Sequence, residues 1–508
     1  MSRAGVFAGL FAGVVVACLA LAPPALAGKP VVIGSKAFAE SWILGDAIVG
    51  LIERAGAGTA VHRKNLGGTE IAYQALAAAS IDVYPEYTGT IAEVILKTKG
   101  APSADELRRA LAPLGLGMSA PLGFNDGYAL AVTASTAQKE RLRSISDLDA
   151  HPDLRFGFTH EFLGRGDGWP GLLRHYGLEA KNVRGLQHEL AYEAIGRGQL
   201  DVTDIYTTDP QIERLELVLL ADDRAFFPRY DAVLLYRLDL GARAPAALLA
   251  MGRLEGKIDE ASMTRANSAV VLRNVSTEEA ARQLVDRALG RDSPALADPP
   301  AFGGDLARNL VRHVELVGVS LALAILIGVP LGIAATRSRP VAFITLTGAG
   351  LLQTIPSLAL LAFLIPLFGI GIVPALVALF IYSLLPIVRS TYTGLATIPS
   401  SLTEAADGIG LSARTKLLQV TLPMASPSIL SGIKTSAVIN VGTATLAALI
   451  GAEGLGNPIM QGIALRDTRL ILQGAVPAAL LAIAVEALFS LAERVVVPRG
   501  LRLSSRAR

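Results

Sequence analysis

The sequence is poor in charged residues and has almost no cysteine. Asp, Glu, Lys and Arg make up 18% of its 508 residues, whereas soluble globular proteins usually carry about 25%. The single cysteine, Cys18, lies in an apolar run, so disulfide scaffolds, cysteine-ligated zinc sites and thiol catalysis are excluded elsewhere in the chain. Apolar residues reach 52% and the mean hydropathy is +0.47. This composition predicts that part of the chain lies in lipid.

A basic stripe and a nucleotide-binding loop are also missing. The chain carries a net +6 from His313 onward (13 basic against 7 acidic residues) and −4 before it (33 against 37). No basic stripe with interleaved aromatic residues is present, which argues against a nucleic-acid partner. The Gly-Lys pairs at Gly28 and Gly256 both fall outside the G-x-x-x-x-G-K-S/T frame that cradles phosphates. The sequence therefore encodes no ATPase, and energy from ATP would need a separate subunit.

Composition divides the chain into four parts. Residues 1–27 have a charged start, an apolar run and a small-residue cleavage site, which predicts a signal peptide; an uncleaved anchor and, less strongly, a lipoprotein cysteine stay open as alternatives. Residues 28–292 alternate β-branched runs with amphipathic helices, which is typical of α/β folds, and their length suits two lobes. Residues 293–312 form a linker rich in Pro, Gly and Ala. Residues 313–508 are predicted to be an all-α polytopic membrane domain.

The last part contains five apolar runs that approach or exceed the ~20 residues needed to cross the bilayer. They lie at about 314–335, 341–367, 371–388, 428–450 and 470–492. Basic residues follow the first run, flank the loop between the third and fourth, and close the chain, and such residues accumulate on the cytoplasmic side. An odd number of spans and this charge pattern agree: the N-terminal domain is expected outside and the C-terminus inside. Whether 341–367 is one span or two stays open.

The loop between the third and fourth runs, 401–423, has the pattern of two short helices. Ser401 and Glu404 have the spacing of a capping box at a helix start. Ser412 would restart a second helix and Pro423 would stop it. Two small residues and a glycine suited to a left-handed helix end lie between these points: Ala405, Ala406 and Gly410.

This loop resembles the EAA loop of bacterial ABC importer permeases. Glu-Ala-Ala is followed after three residues by Gly410, and Leu-Pro begins twelve positions further on. The resemblance implies a cytoplasmic ATPase partner that docks on Glu404, Ala405, Ala406 and Gly410. It also implies two permease copies around one pathway, and hence a homodimer. The IGAEGLG run (450–456) is similar to the same permeases, in which Gly usually stands at the Glu453 position.

Aromatic residues are scarce, at 6%, but nine of the eleven tyrosines lie between Tyr73 and Tyr236. A quaternary ammonium group cannot donate strong hydrogen bonds, so proteins hold it with aromatic faces, each worth ~0.5–2 kcal/mol when desolvated. A carboxylate on the same solute would need Lys, Arg or hydroxyl donors. The clustering therefore favours a site for a quaternary ammonium solute.

Six motifs in this region resemble the glycine betaine, choline and osmoprotectant binding proteins. They are GSKAFAES (34–41), NLGGTEIAYQALAAASIDVYPEYTGT (65–90), GFNDGYALAV (123–132), EFLGRGDG (161–168), DVTDIYTTD (201–209) and DDRAFFPRYDAVLLYR (222–237). The resemblance implies a type II periplasmic-binding-protein fold, with two α/β lobes joined by a two-stranded hinge. One departure is Ala39-Glu40-Ser41, where the family usually has Thr-Glu-Gln.

The same resemblance implies the solute site. The aromatic cage would be formed by four rings, from Tyr87, Tyr128, Tyr206 and Tyr230. The carboxylate pole would be formed by Lys36, Thr90 and Arg165, with Asp126 beside the cation. Lobe one would supply Lys36, Tyr87, Thr90, Asp126 and Tyr128, and lobe two Arg165 and Tyr206, with Tyr230 near the return crossing. Trp169 is a weaker candidate for a fifth wall, and Tyr73, Tyr84 and Tyr192 are expected in the core.

These observations predict a fused substrate-binding protein and permease of an ATP-driven importer of osmoprotectants such as glycine betaine or choline. The chain is expected in the inner (plasma) membrane, with its binding domain outside. It would do no covalent chemistry, and no metal or cofactor is expected. The alternatives are another betaine-like solute such as ergothioneine, an amino acid, or a ligand-gated channel. A T-V-G-Y-G selectivity filter is absent from the sequence, which disfavours the channel.

Overall fold

The computed structural model describes residues 29–98, 102–291, 306–465 and 467–498, apart from the Glu189 side chain. The predicted signal peptide and most of the predicted linker lie outside the described residues. A long helix already begins at Leu306, so the structure places residues 306–312 in the membrane domain's first helix rather than in the linker.

Lobe one is built on a five-stranded sheet. Its strands are β1 (Val31–Gly34), β2 (Ala60–Arg63), β3 (Val83–Tyr87), β4 (Leu116–Met118) and β10 (Ala232–Arg237). The order is β2-β1-β3-β10-β4. β1 pairs in parallel with β2 and β3, and β10 pairs antiparallel with β3 and β4. Every residue of β3 is buried, so Tyr87 is held at the end of a central strand.

Lobe two is built on a second five-stranded sheet. Its strands are β5 (Tyr128–Thr133), β6 (Arg155–Thr159), β7 (Asn182–Leu186), β8 (Val202–Tyr206) and β9 (Leu217–Leu220). The order is β7-β6-β8-β5-β9, with β6 parallel to its neighbours and β5 antiparallel to β8 and β9. Tyr128 and Tyr206 are direct partners in the β5–β8 register.

Two chain segments cross between the lobes and pair with each other. Asn125 and Asp231 form an antiparallel bridge, and the Asp126 N–H donates to the Tyr230 carbonyl at 3.1 Å. This pairing is the two-stranded hinge that the resemblance implies. The assignment of Tyr128 to lobe one is wrong, because the chain crosses before β5 and Tyr128 opens that strand. Asp126 lies in the crossing itself rather than in lobe one.

Ten helices of at least five residues surround the two sheets in the described part of the binding domain. They are α1 (Ala39–Arg54), α2 (Thr69–Ala77), α3 (Ala104–Leu111), α4 (Ala134–Glu140), α5 (His160–Gly164), α6 (Trp169–Tyr176), α7 (His188–Gly196), α8 (Pro245–Gly252), α9 (Glu260–Arg273) and α10 (Thr277–Ala288). The remaining segments are α-helical turns of three or four residues at Thr88–Thr90, Gln211–Arg214 and Leu240–Arg243, 3-10 turns at Ala112–Leu114 and Ile145–Ala150, and a π-helical turn at Ile91–Ile95. Side-chain caps fix several starts; Thr159, for example, accepts from the Phe162 N–H and so sets α5 beside the site.

The membrane domain consists of long apolar helices. They are α11 (Leu306–Ala335), α12 (Arg339–Thr354), α13 (Ser357–Phe368), α14 (Ile372–Ala396), α15 (Ser400–Gly408), α16 (Ala413–Ile450), α17 (Gly456–Leu465) and α18 (Thr468–Val496). Within the described residues, α11, α14, α16 and α18 are each long and apolar enough to cross a membrane, and α12 with α13 makes a fifth candidate.

The predicted run 341–367 is two helices rather than one straight span. α12 and α13 meet at an angle of 96°. The break falls at Ile355, whose extended backbone (φ −66°, ψ 123°) precedes Pro356. A residue before proline is pushed out of the helical region by the proline ring, so the sequence itself explains the break.

Candidate functional site

One small cavity at the boundary between the lobes brings the predicted solute residues together. All eight of them line it, with Phe38 and Glu161 in addition: Lys36, Phe38, Tyr87, Thr90, Asp126, Tyr128, Glu161, Arg165, Tyr206 and Tyr230. The cavity volume is about 20 Å³, room for about one water molecule. A trimethylammonium group is larger, so a solute of that kind needs the lobes to move apart before it enters.

The aromatic side of the cavity is centred on Tyr128. Its ring centroid lies 5.2 Å from that of Tyr206 and 5.6 Å from that of Tyr230, the latter edge-on. Phe38 extends the wall, with its ring 5.8 Å from Tyr206. The β5–β8 register explains the first contact, because directly opposed residues on neighbouring strands share one face. Sequence reasoning missed Phe38, although it lies two residues after Lys36 in the same motif.

Arg165 is held by the chain's own carboxylates. Its Nε donates to Asp167 Oδ1 at 2.8 Å and its Nη2 to Asp167 Oδ2, while Nη1 donates to Glu161 Oε1 at 3.3 Å. Nη2 also donates to Thr90 Oγ1 at 3.3 Å, and this bond crosses from lobe two to lobe one. The guanidinium has five N–H groups, so one on Nη1 remains for another acceptor.

Lys36 is likewise paired. Its Nζ lies 2.7 Å from Glu86 Oε1, and Glu86 is fully buried. The same ammonium lies 5.0 Å from the ring centroid of Tyr87 and 5.6 Å from that of Phe38. Both cations of the predicted carboxylate pole therefore already face carboxylates of the protein.

A buried acidic network behind the cavity joins the lobes. Glu40, in lobe one, accepts from Tyr87 Oη at 2.6 Å, from Thr208 Oγ1 at 2.6 Å and from Asn267 Nδ2 at 2.9 Å. Thr208 Oγ1 also lies 2.9 Å from Asp126 Oδ1. Burial raises the pKa of Glu40, and burial followed by the Glu40 charge raises the pKa of Asp126 well above its ordinary value.

Thr208 connects the two carboxyls. Its one hydroxyl proton lies within hydrogen-bonding distance of both Glu40 and Asp126, and its backbone N–H donates to Asp126 Oδ1 at 3.2 Å. The raised pKa of each carboxyl favours its protonated form. The sequence pointed to Glu40 only as the matching residue between two departures from the family pattern, Ala39 and Ser41, and not as a member of the site.

The other aromatic candidates lie away from the cavity. Trp169 packs on Phe158 and Phe156, with centroid distances of 4.5 Å and 5.4 Å, and is not part of the cavity wall. Tyr84 and Tyr192 are buried in core clusters, as expected. Tyr73 packs against the cluster that contains Tyr84.

Comparison with known protein families agrees with this geometry. Residues 29–287 match the substrate-binding domain of ABC-type glycine betaine transport systems, and residues 328–501 match the binding-protein-dependent transport system inner membrane component. The chain belongs to this glycine betaine transport family. The predicted family, the two-lobed binding fold and the helical permease are confirmed, and the chain is an inner-membrane protein whose binding domain faces outward.

Individual relatives are similar to part of the chain. The choline transport system permease protein OpuBB of Bacillus subtilis (strain 168) is 42% identical over 200 residues, 39% of this chain and 92% of that protein. The osmoprotectant import permease protein OsmW of Salmonella typhimurium (strain LT2) is 45% identical over 204 residues, 39% of this chain and 95% of that protein. The ergothioneine transport permease/ergothioneine binding protein EgtU of Helicobacter pylori (strain G27) is 30% identical over 277 residues, 52% of this chain and 48% of that protein.

One solved structure is similar to about half of this glycine betaine transport family member. The crystal structure of a glycine betaine/carnitine/choline ABC transporter protein is 29% identical, with a TM-score of 0.44, and covers 52% of this chain and all of that chain.

The permease loop differs from its sequence prediction at its start. α15 begins at Ser400 after Pro399, and no side chain caps it. Ser401 is therefore inside the first turn, and the predicted capping box with Glu404 is wrong, because the helix starts after Pro399, two residues earlier than predicted. Pro423 does not end the second helix either: α16 runs through it after a π-helical turn at Leu417–Thr421.

Other features of the loop agree with the sequence. Gly410 has φ +77°, the left-handed conformation predicted for it, and Ser412 caps α16 by accepting from the Thr415 N–H at 3.2 Å. Glu404, Ala405 and Gly410 are exposed, whereas Ala406 is 4% exposed and packs inside the chain. Ala406 therefore cannot present its side chain to a partner in this arrangement.

Proposed function

We propose that the chain captures a quaternary ammonium osmolyte in the interlobe cavity and passes it through its own membrane domain. The observation that carries this proposal is the convergence of Tyr128, Tyr206, Tyr230 and Phe38 on one cavity beside Asp126. Aromatic faces attract a cation that cannot donate hydrogen bonds, and Asp126 beside them adds charge attraction in its ionised form. Choline and osmoprotectants, which the relatives OpuBB and OsmW are named for transporting, have this chemistry.

The carboxylate pole is proposed at Thr90, Arg165 and Lys36. The remaining Nη1–H of Arg165 is the donor that a betaine carboxylate can use without breaking the Asp167 pair. Because Lys36 is occupied by Glu86, it contributes mainly by its positive charge. A solute that contacts Thr90 in one lobe and Arg165 in the other favours the closed form, and closure reports occupancy to the membrane domain.

Energy is proposed to come from a separate ATPase that docks on α15. The exposed face of this helix carries Leu402, Ala405 and Ile409, of which Ile409 is 76% exposed. An apolar side chain so exposed on a short cytoplasmic helix suits a groove on a partner protein. Two copies of the chain are proposed to form one pathway, because importers of this type need two membrane halves.

The test uses the full chain with its partner ATPase in lipid vesicles. Calorimetry on the purified chain should show binding of choline or glycine betaine, and uptake should require ATP and exceed the external concentration. ATP-independent equilibration of solute would instead show a channel. Binding of ordinary amino acids with no quaternary ammonium solute bound would contradict the cage.

Ergothioneine is the second candidate solute. The observation that favours it is the fused permease and binding protein EgtU, which has the same two functions in one chain. Ergothioneine carries both a trimethylammonium group and a carboxylate, so it belongs in the same binding series. Tighter binding of ergothioneine than of choline and glycine betaine would make it the preferred substrate.

A further inference from the structure

The binding domain contacts the membrane domain through both of its lobes. On lobe one, Ser80 Oγ accepts from the Ile370 N–H at 3.2 Å, in the turn between α13 and α14. Leu66 lies against Gly451, where an added Cβ would stand 2.9 Å from the Leu66 side chain. Ile71 packs on the core of the membrane domain. This contact fixes lobe one on the loops of the membrane domain.

The second contact is made by the C-terminal end of α17. This helix touches α7 of lobe two. Ala464 lines a cavity of about 40 Å³ whose other walls come from both lobes, including Glu40 and Asn267 of lobe one and His188 of lobe two. Leu465 packs against the main hydrophobic cluster of the binding domain. The end of α17 therefore sits at the boundary between the lobes.

This second cavity adjoins the solute cavity. Phe38, Asp126 and Tyr206 line both of them. A single layer of side chains therefore separates the solute from Ala464. Any change of lobe angle that moves Tyr206 or the neighbouring α7 also changes the walls that surround Ala464.

α17 is packed too closely on α18 to move alone. An added Cβ at Gly462 would lie 2.5 Å from the Ile471 N, and one at Gly474 would lie 2.4 Å from the Leu455 carbonyl oxygen. Such backbone approach is possible only because these residues are glycines. α18 in turn packs on α16, the helix that follows the cytoplasmic loop. A displacement of α17 is thus passed to the helices nearest the proposed ATPase site.

We propose that Ala464 and Leu465, at the end of α17, form the contact by which the membrane domain senses lobe closure. Lobe one is fixed by Ser80 and Leu66, so closure brings the lobe-two wall against the end of α17, and opening withdraws it. This inference rests on the proposed function as an ATP-driven importer. It assigns to α17 a role that neither the solute residues nor the ATPase loop can perform.

The first test compares two tryptophan variants of the full chain, assembled with the partner ATPase in nanodiscs. Ala464→Trp introduces a side chain too large for its cavity, so stimulation of ATP hydrolysis by choline or glycine betaine should fall at least about tenfold. Ile463→Trp, at an exposed neighbouring position, should keep the stimulation. Full stimulation in Ala464→Trp would overturn the inference while leaving the proposed importer intact. Absence of stimulation in the unmodified chain would count against the proposed function itself.

A cross-linking test uses small side chains and so avoids any folding defect of the tryptophan variant. Cys18, the single cysteine, is changed to Ser, and Ala464→Cys is combined with Gln211→Cys on lobe two, both lining the same cavity. Disulfide formation should be several-fold faster with saturating choline or glycine betaine than without. A rate that solute does not change, or no cross-link under either condition, would overturn the inference.

Discussion

Tyr206 reaches the cavity from the end of β8 in lobe two, and Tyr230 reaches it from the crossing between the lobes. Each should therefore contribute its own ring face. Tyr206→Ala and Tyr230→Ala should each weaken binding of a trimethylammonium solute by ~1–2 kcal/mol, about 5- to 30-fold in Kd. Calorimetry on the full chain measures this change. Tyr206→Phe is the matched control, because it keeps the ring. A Phe variant as weak as the Ala variant would assign the effect to the hydroxyl instead.

Arg165 provides the test of the carboxylate pole. Arg165→Gln should weaken glycine betaine more than choline, because only glycine betaine has a carboxylate and a charged hydrogen bond contributes ~1.5–3 kcal/mol. The factor by which the variant raises the Kd for glycine betaine should exceed the factor for choline by at least about tenfold. Arg155→Gln, which removes an exposed pair with Asp201 on the same lobe, should change neither solute. Equal losses would mean that Arg165 serves only Asp167, Glu161 and Thr90.

The buried pair of Glu40 and Asp126 should make the binding domain sensitive to pH. Both pKa values are raised, mainly by burial, so the folded state holds these protons more tightly than the unfolded chain. The resulting stability is complete below the ordinary carboxyl pKa of about 4 and is lost as pH rises through the raised values. The thermal midpoint of the full chain without solute should therefore decrease as the pH is raised from about 5 to about 8.

Asp126→Asn should flatten this pH dependence, because an amide has no proton to lose. The exposed Asp105→Asn serves as the control, since Asp105 lies on the surface of α3 beside Arg108. Scanning calorimetry at several pH values measures the slope. If the thermal midpoint changes equally with pH in the Asp126→Asn variant and in the unmodified chain, this carboxyl pair is not the cause of the pH dependence.

At the scale of elements, α15 has one face that is available to a partner and another that packs on the chain. Ala405→Trp should abolish ATP-driven uptake, because a docked helix tolerates little added volume, while solute binding at the external site stays normal. Ala405→Ser, which adds one atom, should retain uptake. Ala406→Trp is a poorer test, since Ala406 is buried and its replacement disturbs the chain's own packing. Normal uptake by Ala405→Trp would remove α15 from the coupling.

The sequence predicted most of these elements, and its errors have local physical causes. The Leu-Pro and Gly410 signals were sufficient to find the loop, but Pro399 shifted the helix start by two residues and so displaced Ser401 from the cap. Which face of α15 is buried depends on neighbouring helices, which the loop sequence does not specify. The lobe of Tyr128 was misassigned for a similar reason, because no residue marks where the chain crosses.

For the site, too, the sequence predicted the residues within motifs but not the contacts between distant parts of the chain. The motifs identified eight of the ten residues that line the cavity, because each of the eight lies in a short family pattern. They could not show that Glu40 meets Thr208 and Asn267, which are 168 and 227 positions away in the chain. The contact between Glu40 and Thr208 joins the two lobes, so it arises only when the lobes come together. Closure is therefore the part of the mechanism that sequence reasoning could not reach.

At the scale of the whole molecule, the membrane domain exposes much apolar surface. The most apolar window of α18 has no buried residue in the single chain, and Leu472, Val476, Leu480 and Ile483 follow one another along it at helical spacing, all exposed. Lipid and a second copy are the two environments that can cover such surface in a bilayer. One chain supplies only one set of spans, and we propose that a second copy of the chain supplies the other set.

A mixing experiment distinguishes one working chain from two. Unmodified chain and Ala405→Trp are co-reconstituted with the ATPase at equal amounts, and uptake is compared with that of unmodified chain alone. If both copies in a symmetric pair must couple to ATP, uptake should fall to about a quarter, whereas independent single chains should give about a half. Native mass spectrometry of the purified complex should then show two copies of the chain. A half-maximal rate together with a one-chain mass would show that a single chain, or a different second permease, completes the pathway.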